Sequence, residues 1–283
     1  TASAKVMRSL ATSVELSSTE YLVDTCGTGG DGLGLFNIST ASAFVVAAAG
    51  GKVAKHGNRS ISSKSGSADV LEAAGINLNL SPEVISECIE KIGVGFMFAP
   101  AHHSAMKHAI GPRKELAVRT IFNVLGPLTN PAKAPNQVIG VYDRNLVEPI
   151  ANVLKSLKSR HVMVVHSADG LDEFSVADKT FVAELYNDEV STYSVHPDDF
   201  GLKLGNLNDI KAENADESLS LIYEAFSGHN GTAKNIIALN AGAAIYVSGL
   251  EDTLSLGIEK ASKVLSDGSA KEKLEEYIFA SNN

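Results

Sequence analysis

Apolar positions along the chain follow two rhythms: short continuous runs, and longer stretches with an apolar residue every third or fourth place. The short runs cover residues 21–26, 52–56, 95–99, 138–141 and 161–166. Unbroken apolar runs of that length predict strands covered on both faces, as in a parallel sheet. The longer stretches predict helices over 4–14, 40–49, 68–74, 82–92, 101–110, 114–123 and 146–157. Ser81 and Pro82 give one of these a capping hydroxyl and a first-turn proline. Strand–helix alternation predicts an α/β fold, a mainly parallel central sheet flanked by helices. Runs 181–186 and 190–195 flank Asn187, Asp188 and Glu189, which predicts a hairpin at a sheet edge. Beyond Asn214 the pattern is helical over 217–226, 233–247, 252–265 and 270–280. The stretch 235–246 is apolar nearly all round and is expected to be buried.

Bulk properties narrow the class. A chain of 283 residues, 44% hydrophobic, can bury a substantial core. Its net charge of −9 argues against a general nucleic-acid or membrane-surface binder. Cys26 and Cys88 form no paired motif, so neither a disulfide framework nor a zinc site is signalled, and a reduced, cytoplasmic setting is expected. The apolar run 41–50 is too short to span a bilayer, and no signal peptide is visible.

The candidate chemistry begins where the first strand ends. Gly27, Gly29, Gly30 and Gly32 form a glycine turn that opens into a helix near Thr40. Glycine lets backbone N–H groups approach a ligand, and a helix N-terminus adds partial positive charge, so the segment predicts a phosphate cradle. A dinucleotide site would need an acid about 20 residues on. Residues 32–68 hold no Asp or Glu; they hold Lys52, Lys55, His56, Arg59 and Lys64. A P-loop is excluded because no Gly-Lys-Ser/Thr closes the turn. The window suits a ligand bearing several phosphates.

Three further groups follow. Residues 55–69 carry Lys55, Asn58 and Arg59 with serines 60, 62, 63, 65 and 67, suited to phosphate oxygens; the bland alternative is a polar loop capping the next helix. Asp169, Asp172 and Glu173 follow the strand 161–166, where open α/β sheets place their sites. Adjacent carboxylates there can share Mg²⁺, although such a pair on its own is usually a solvated turn. His102, His103, His108 and Arg113 precede the segment 123–131, which includes Gly126 and Pro127. A histidine and an arginine among apolar neighbours could hold an aromatic carboxylate; the alternative is ordinary surface histidines.

These motifs, with Asn37-Ile38-Ser39-Thr40, Asp199-Phe200-Gly201, Glu213-Asn214 and Leu239-Asn240, run in order over nearly the whole chain and resemble the anthranilate phosphoribosyltransferases. The resemblance implies transfer of the phosphoribosyl group of 5-phosphoribosyl 1-diphosphate (PRPP) to the amine of anthranilate, with Mg²⁺, two ions per site, assisting departure of diphosphate. It implies PRPP contacts at Gly27, Gly30, Asp31, Asn37, Ser39, Thr40, Lys55, Arg59, Ser63 and Ser67. Magnesium would fall to Ser39, Asp172 and Glu173, and anthranilate to Gly27, Asn58, His103, Arg113 and Gly126. Leu35 and Met106 depart from the family pattern, removing one loop hydroxyl and one stacking ring.

The resemblance also implies two domains. Residues 1–20 with 101–130 would be the remnant of a small helical domain, shortened at its N-terminal side. Residues 21–100 with 131–283 would form the large PRPP-binding domain. Family members form homodimers through the small domain, so this chain is expected to dimerise poorly. Two rivals remain at this stage. A pyrimidine-nucleoside phosphorylase shares the fold, but phosphorolysis needs no magnesium–diphosphate pair. A non-catalytic nucleic-acid-binding relative would need a basic groove, which the acidic stretch 213–276 does not offer.

Overall fold

The computed structural model describes residues 1–60, 64–104 and 120–283. Strands β1 (Leu22–Asp24), β2 (Lys52–Gly57), β3 (Val94–Phe98), β4 (Asn136–Gly140), β5 (His161–Ser167), β6 (Thr180–Tyr186) and β7 (Glu189–Val195) form one sheet in the order β3-β2-β1-β4-β5-β6-β7. The first five are parallel, and β6 and β7 pair antiparallel at the edge, as the hairpin pattern predicts. The chain runs outward from β1 to β3 on one side and from β4 to β7 on the other. The order therefore reverses between β1 and β4, and such a switch point leaves a crevice at the strands' C-terminal ends.

The helices are α1 (Ala2–Leu10), α2 (Ile38–Ala48), α3 (Ser67–Ala73), α4 (Pro82–Lys91), α5 (Val147–Ser156), α6 (Ala215–Phe226), α7 (Thr232–Ser248), α8 (Leu254–Asp267) and α9 (Ser269–Ser281). Period-two alternation decides which residues meet which layer. Val23, Val53, Val138, Met163 and Val165 pack with α2, α7, α8 and α9 in the main core. On the other face Ile139, Val162, Val164 and Leu185 meet α5, while Leu22, Ala54 and Met97 meet α4. Helix α7 is buried almost throughout, as its composition predicts.

The N-terminal stretch differs from expectation. Helix α1 ends at Leu10 rather than continuing to residue 14. Thr12 N–H instead donates to His102 O (2.8 Å) and Val14 N–H to Pro131 O (3.2 Å). These tertiary bonds satisfy the backbone and leave Ala11 extended. Of the helices expected over 101–110 and 114–123, the described residues hold single turns at Ala99–His102 and Phe122–Leu125; residues 105–119 lie outside them.

One side chain fastens the switch point. The buried Asn130 donates to Asp24 Oδ2 (2.7 Å) and Ala54 O (2.8 Å) and accepts from Ala132 N–H (2.9 Å). Asp24 Oδ1 in turn accepts from His56 N–H (3.2 Å). Asn130→Ala strands buried donors and acceptors on three segments, so it should lower unfolding free energy by about 2–4 kcal/mol in urea titration.

Candidate active site

The loop that leaves β1 is shaped by its glycines. Gly29, Gly30, Gly32 and Gly34 have φ of 61°, 83°, 76° and 67°, the left-handed region that side chains resist. Thr28 anchors the loop to the end of β4: its N–H donates to Gly140 O (2.9 Å), and its hydroxyl accepts from Tyr142 N–H (3.1 Å). The loop ends at Asn37, where α2 begins with no acid in its first turn. Thr40 Oγ1 is buried there without a hydrogen-bond partner among the described residues. A helix start aimed at a crevice, with an unpaired hydroxyl beside it, suits an anion.

Lys55 rises from β2 beneath this loop. Its buried ammonium donates to Thr25 O (2.8 Å) and Ser39 Oγ (3.2 Å). Burial pushes its pKa down, while Cys26, Asp24 and Glu173 favour the charged form. The following loop folds onto α3 through Asp69, whose Oδ2 accepts from Ser60 N–H (3.0 Å) and Gly66 N–H (2.8 Å). Gly66 is obligatory, because a Cβ there would lie 2.4 Å from Ser60 N. Arg59 binds Glu72 (2.7 and 3.0 Å) and Asp69 (3.2 Å), and Ser67 Oγ donates to Asn58 O (3.3 Å). The Arg59 and Ser67 side chains thus face their own loop and helix; Ser63 lies outside the described residues.

The acidic pair sits across the crevice. Asp172 packs so closely on the end of β4 that a Cβ at Gly140 would fall 1.3 Å from Asp172 O. A Cβ at Gly27 would stand 3.1 Å from Asp172 Oδ2. Glu173 Oε1 accepts from Ser39 N–H (3.1 Å), joining the pair to the start of α2. Asn240 of α7 fixes the next residue, accepting from Phe174 N–H (3.0 Å) and donating to Phe174 O (2.9 Å). Burial raises Asp172 to about 7, with Asp31 adding repulsion, and burial with Asp172 holds Glu173 well above the usual carboxylate range. A cation would relieve that crowding. Among the described residues no three His, Cys, Asp or Glu side chains close into a cage. Two carboxylates on an open side instead fit Mg²⁺ completed by phosphate oxygens.

On the side of residues 99–130, the His56 and His103 rings meet edge to face at 5.0 Å between centroids. Among the described residues their four buried ring nitrogens find no well-formed hydrogen bond, although the Gly126 and Thr129 carbonyls lie close by. Burial, then the neighbouring histidines, lowers both pKa values, His56 to about 3, so both rings are neutral at pH 7. Among the described residues nothing lies within 4 Å of a Cβ built on Gly126. Arg113, Met106 and His108 lie outside the described residues. Sequence reasoning assigned no role to Gly140 or Asn240, nor to His56 beyond its cation-bearing window. The first two act through backbone contact across the sheet, which no local pattern signals.

The profile described as "Glycosyl transferase family, a/b domain" matches residues 19–271. The chain is 69% identical over 283 residues to an anthranilate phosphoribosyltransferase of Ruthia magnifica subsp. Calyptogena magnifica, covering all of this chain and 84% of that protein. It is 62% identical over 278 residues to the Marinomonas sp. enzyme of the same name, covering 98% and 80% of the two chains. A crystal structure of that enzyme from Thermus thermophilus superposes with a TM-score of 0.94 at 40% identity, covering 99% of this chain and 83% of that one. The Saccharomyces cerevisiae enzyme in complex with PRPP and Mg gives a TM-score of 0.89 at 29% identity, covering 99% and 78%.

Burial of His56 sets a pH dependence of stability. Below its ordinary pKa the unfolded chain takes up a proton that the folded chain refuses, so stability falls as pH falls. Between about pH 7 and pH 5 the parent should lose about 2 kcal/mol more than His56→Gln, read from urea midpoints at each pH.

Proposed function

The chain belongs to the glycosyl transferase family defined by that α/β domain, and within it to the anthranilate phosphoribosyltransferases; from this we propose how its residues carry the reaction. The enzyme joins the phosphoribosyl group of PRPP to the amine of anthranilate and releases diphosphate, a step of tryptophan biosynthesis. The observation that carries this reading is the convergence, at one switch point, of the glycine loop, the buried Lys55 and the Asp172–Glu173 pair.

The phosphates and ribose of PRPP would lie over Gly27, Gly30 and Asp31, the α2 start at Asn37, Ser39 and Thr40, and Lys55. Arg59, Ser63 and Ser67 would join them once the loop turns from its own helix toward the ligand. Asp172, Glu173 and Ser39 would hold Mg²⁺, two ions per site. Held there, Mg²⁺ would neutralise charge on the departing diphosphate. The C–N bond forms at the anomeric carbon as the C–O bond to diphosphate breaks, and the amine then sheds its proton. A neutral aromatic amine is already nucleophilic, so the chain's task is positioning and charge stabilisation rather than base catalysis.

Anthranilate would enter past Gly27, Asn58, Gly126 and Arg113, beside His56 and His103. Buried ring nitrogens with no well-formed hydrogen bond among the described residues are costly, which supports a polar ligand there. Neutral rings offer an aromatic acid both stacking edges and hydrogen bonds. The two-domain division at 1–20 with 101–130 and 21–100 with 131–283 belongs to the same proposal. So does a cytoplasmic setting. No helix among the described residues is long and apolar enough to cross a membrane.

Anthranilate fluorescence should decay when PRPP and Mg²⁺ are added to the protein. Asp172→Asn with Glu173→Gln should slow that decay at least about 100-fold. Undiminished decay in the double variant would remove the acidic pair from the mechanism. Absent decay together with absent calorimetric PRPP binding would sink the assignment.

A further inference from the structure

Asn37 stands at the junction of three segments. Its Nδ2 donates to Ser65 O (3.3 Å), and its Oδ1 accepts from Ser65 Oγ (3.1 Å) and Ser218 Oγ (2.8 Å). Its backbone N–H donates to Ser218 Oγ (2.9 Å). Ser218 is fully buried at the start of α6, far from the cradle in sequence. Serines within a helix usually return their hydroxyl to the carbonyl four residues back. Ser220 does so to Asp216 O (3.0 Å), and Ser227 does so to Tyr223 O (2.8 Å). Ser218 departs from that habit and spends both its donor and its acceptor capacity on Asn37.

We infer that Ser218 is a positioning residue that fixes the orientation of the Asn37 amide for PRPP. This rests on the reading of the cradle proposed above. The logic is one of donors and acceptors. Ser218 Oγ accepts the Asn37 N–H, which leaves its own proton to donate. That proton holds Oδ1, so the amide cannot rotate to exchange its oxygen and nitrogen. The NH₂ group is thereby kept on the side away from Ser218. A flipped amide would present its oxygen to phosphate oxygens, acceptor against acceptor. The long bond from Nδ2 to Ser65 O is the one a substrate acceptor would replace, whereas the two bonds to Ser218 persist. Ser218 thus ties α6, otherwise remote from the chemistry, to the start of α2.

The test measures the Kd of PRPP with Mg²⁺ by calorimetry, and kcat/KM for PRPP, in the parent, Ser218→Ala, Asn37→Ala and the double variant. Loss of one orienting hydrogen bond should weaken PRPP binding and lower kcat/KM for PRPP about tenfold in Ser218→Ala. KM for anthranilate at saturating PRPP should stay unchanged. In the Asn37→Ala background the second substitution should then change PRPP affinity less than about twofold, because the two act as one unit. A merely structural serine would give effects that multiply across the cycle, and that outcome overturns the inference. So does a Ser218→Ala variant that binds PRPP as the parent does. Should Ser218→Ala not fold, Ser218→Cys keeps the volume with a weaker hydrogen bond and carries the same comparison. A parent that binds no PRPP overturns the reading of the cradle itself, and the role of Ser218 with it.

Discussion

A buried ammonium group is what the site is assembled around. Lys55 Nζ lies among the Thr25 carbonyl, the Ser39 hydroxyl and the fields of Asp24 and Glu173. An uncompensated charge in that position would be costly, so each of these groups must be held where it is. Asp24 is held by Asn130 and His56, and Glu173 by the Ser39 N–H and, one residue on, by Asn240. The same cation thus forces β1, β2, the start of α2 and the turn after β5 into one constellation. Opposing shifts follow from one cause: burial pushes Lys55 down while it pushes Asp24, Asp172 and Glu173 up.

That arrangement explains why so many fasteners are asparagines. An amide carries both donors and acceptors and no charge, so it can satisfy backbone at a buried junction without adding to the electrostatic load. Asn130 bridges an aspartate and a strand edge, Asn240 grips a main-chain N–H and C=O, and Asn136 Nδ2 reaches Leu22 O (2.8 Å). Asn37 repeats the device at the cradle, with a serine on either side.

Legibility in the sequence divides along the same line. Strands β1 to β5 were readable because apolar runs on a doubly covered sheet leave a local mark, and the glycine loop because left-handed backbone selects glycine. The acidic pair was readable by place, just past a strand's end. Helix α1 was overextended, since nothing local announces that Thr12 and Val14 will spend their N–H groups on His102 and Pro131. Gly140 and Ser218 left no mark either. The former is needed because Asp172 O occupies the space of its Cβ, and the latter because α6 folds back over Asn37. What escapes is contact between segments more than 30 positions apart in the chain.

The pairing of a rigid acidic side with a self-engaged loop bears on how the site works. Asp172 is locked against Gly140, and Glu173 against α2, so the acidic side is held in place by the fold itself. Arg59 instead pairs with Glu72 and Asp69 in ion pairs exposed to water and therefore weak, and Ser67 bonds the Asn58 carbonyl. A phosphate bearing two negative charges competes well for such an arginine, because a charge-assisted contact in a partly enclosed crevice outweighs one in solvent. On the reading proposed above, Arg59 and Ser67 would exchange these contacts for phosphate at small cost, while Asp172 and Glu173 keep theirs.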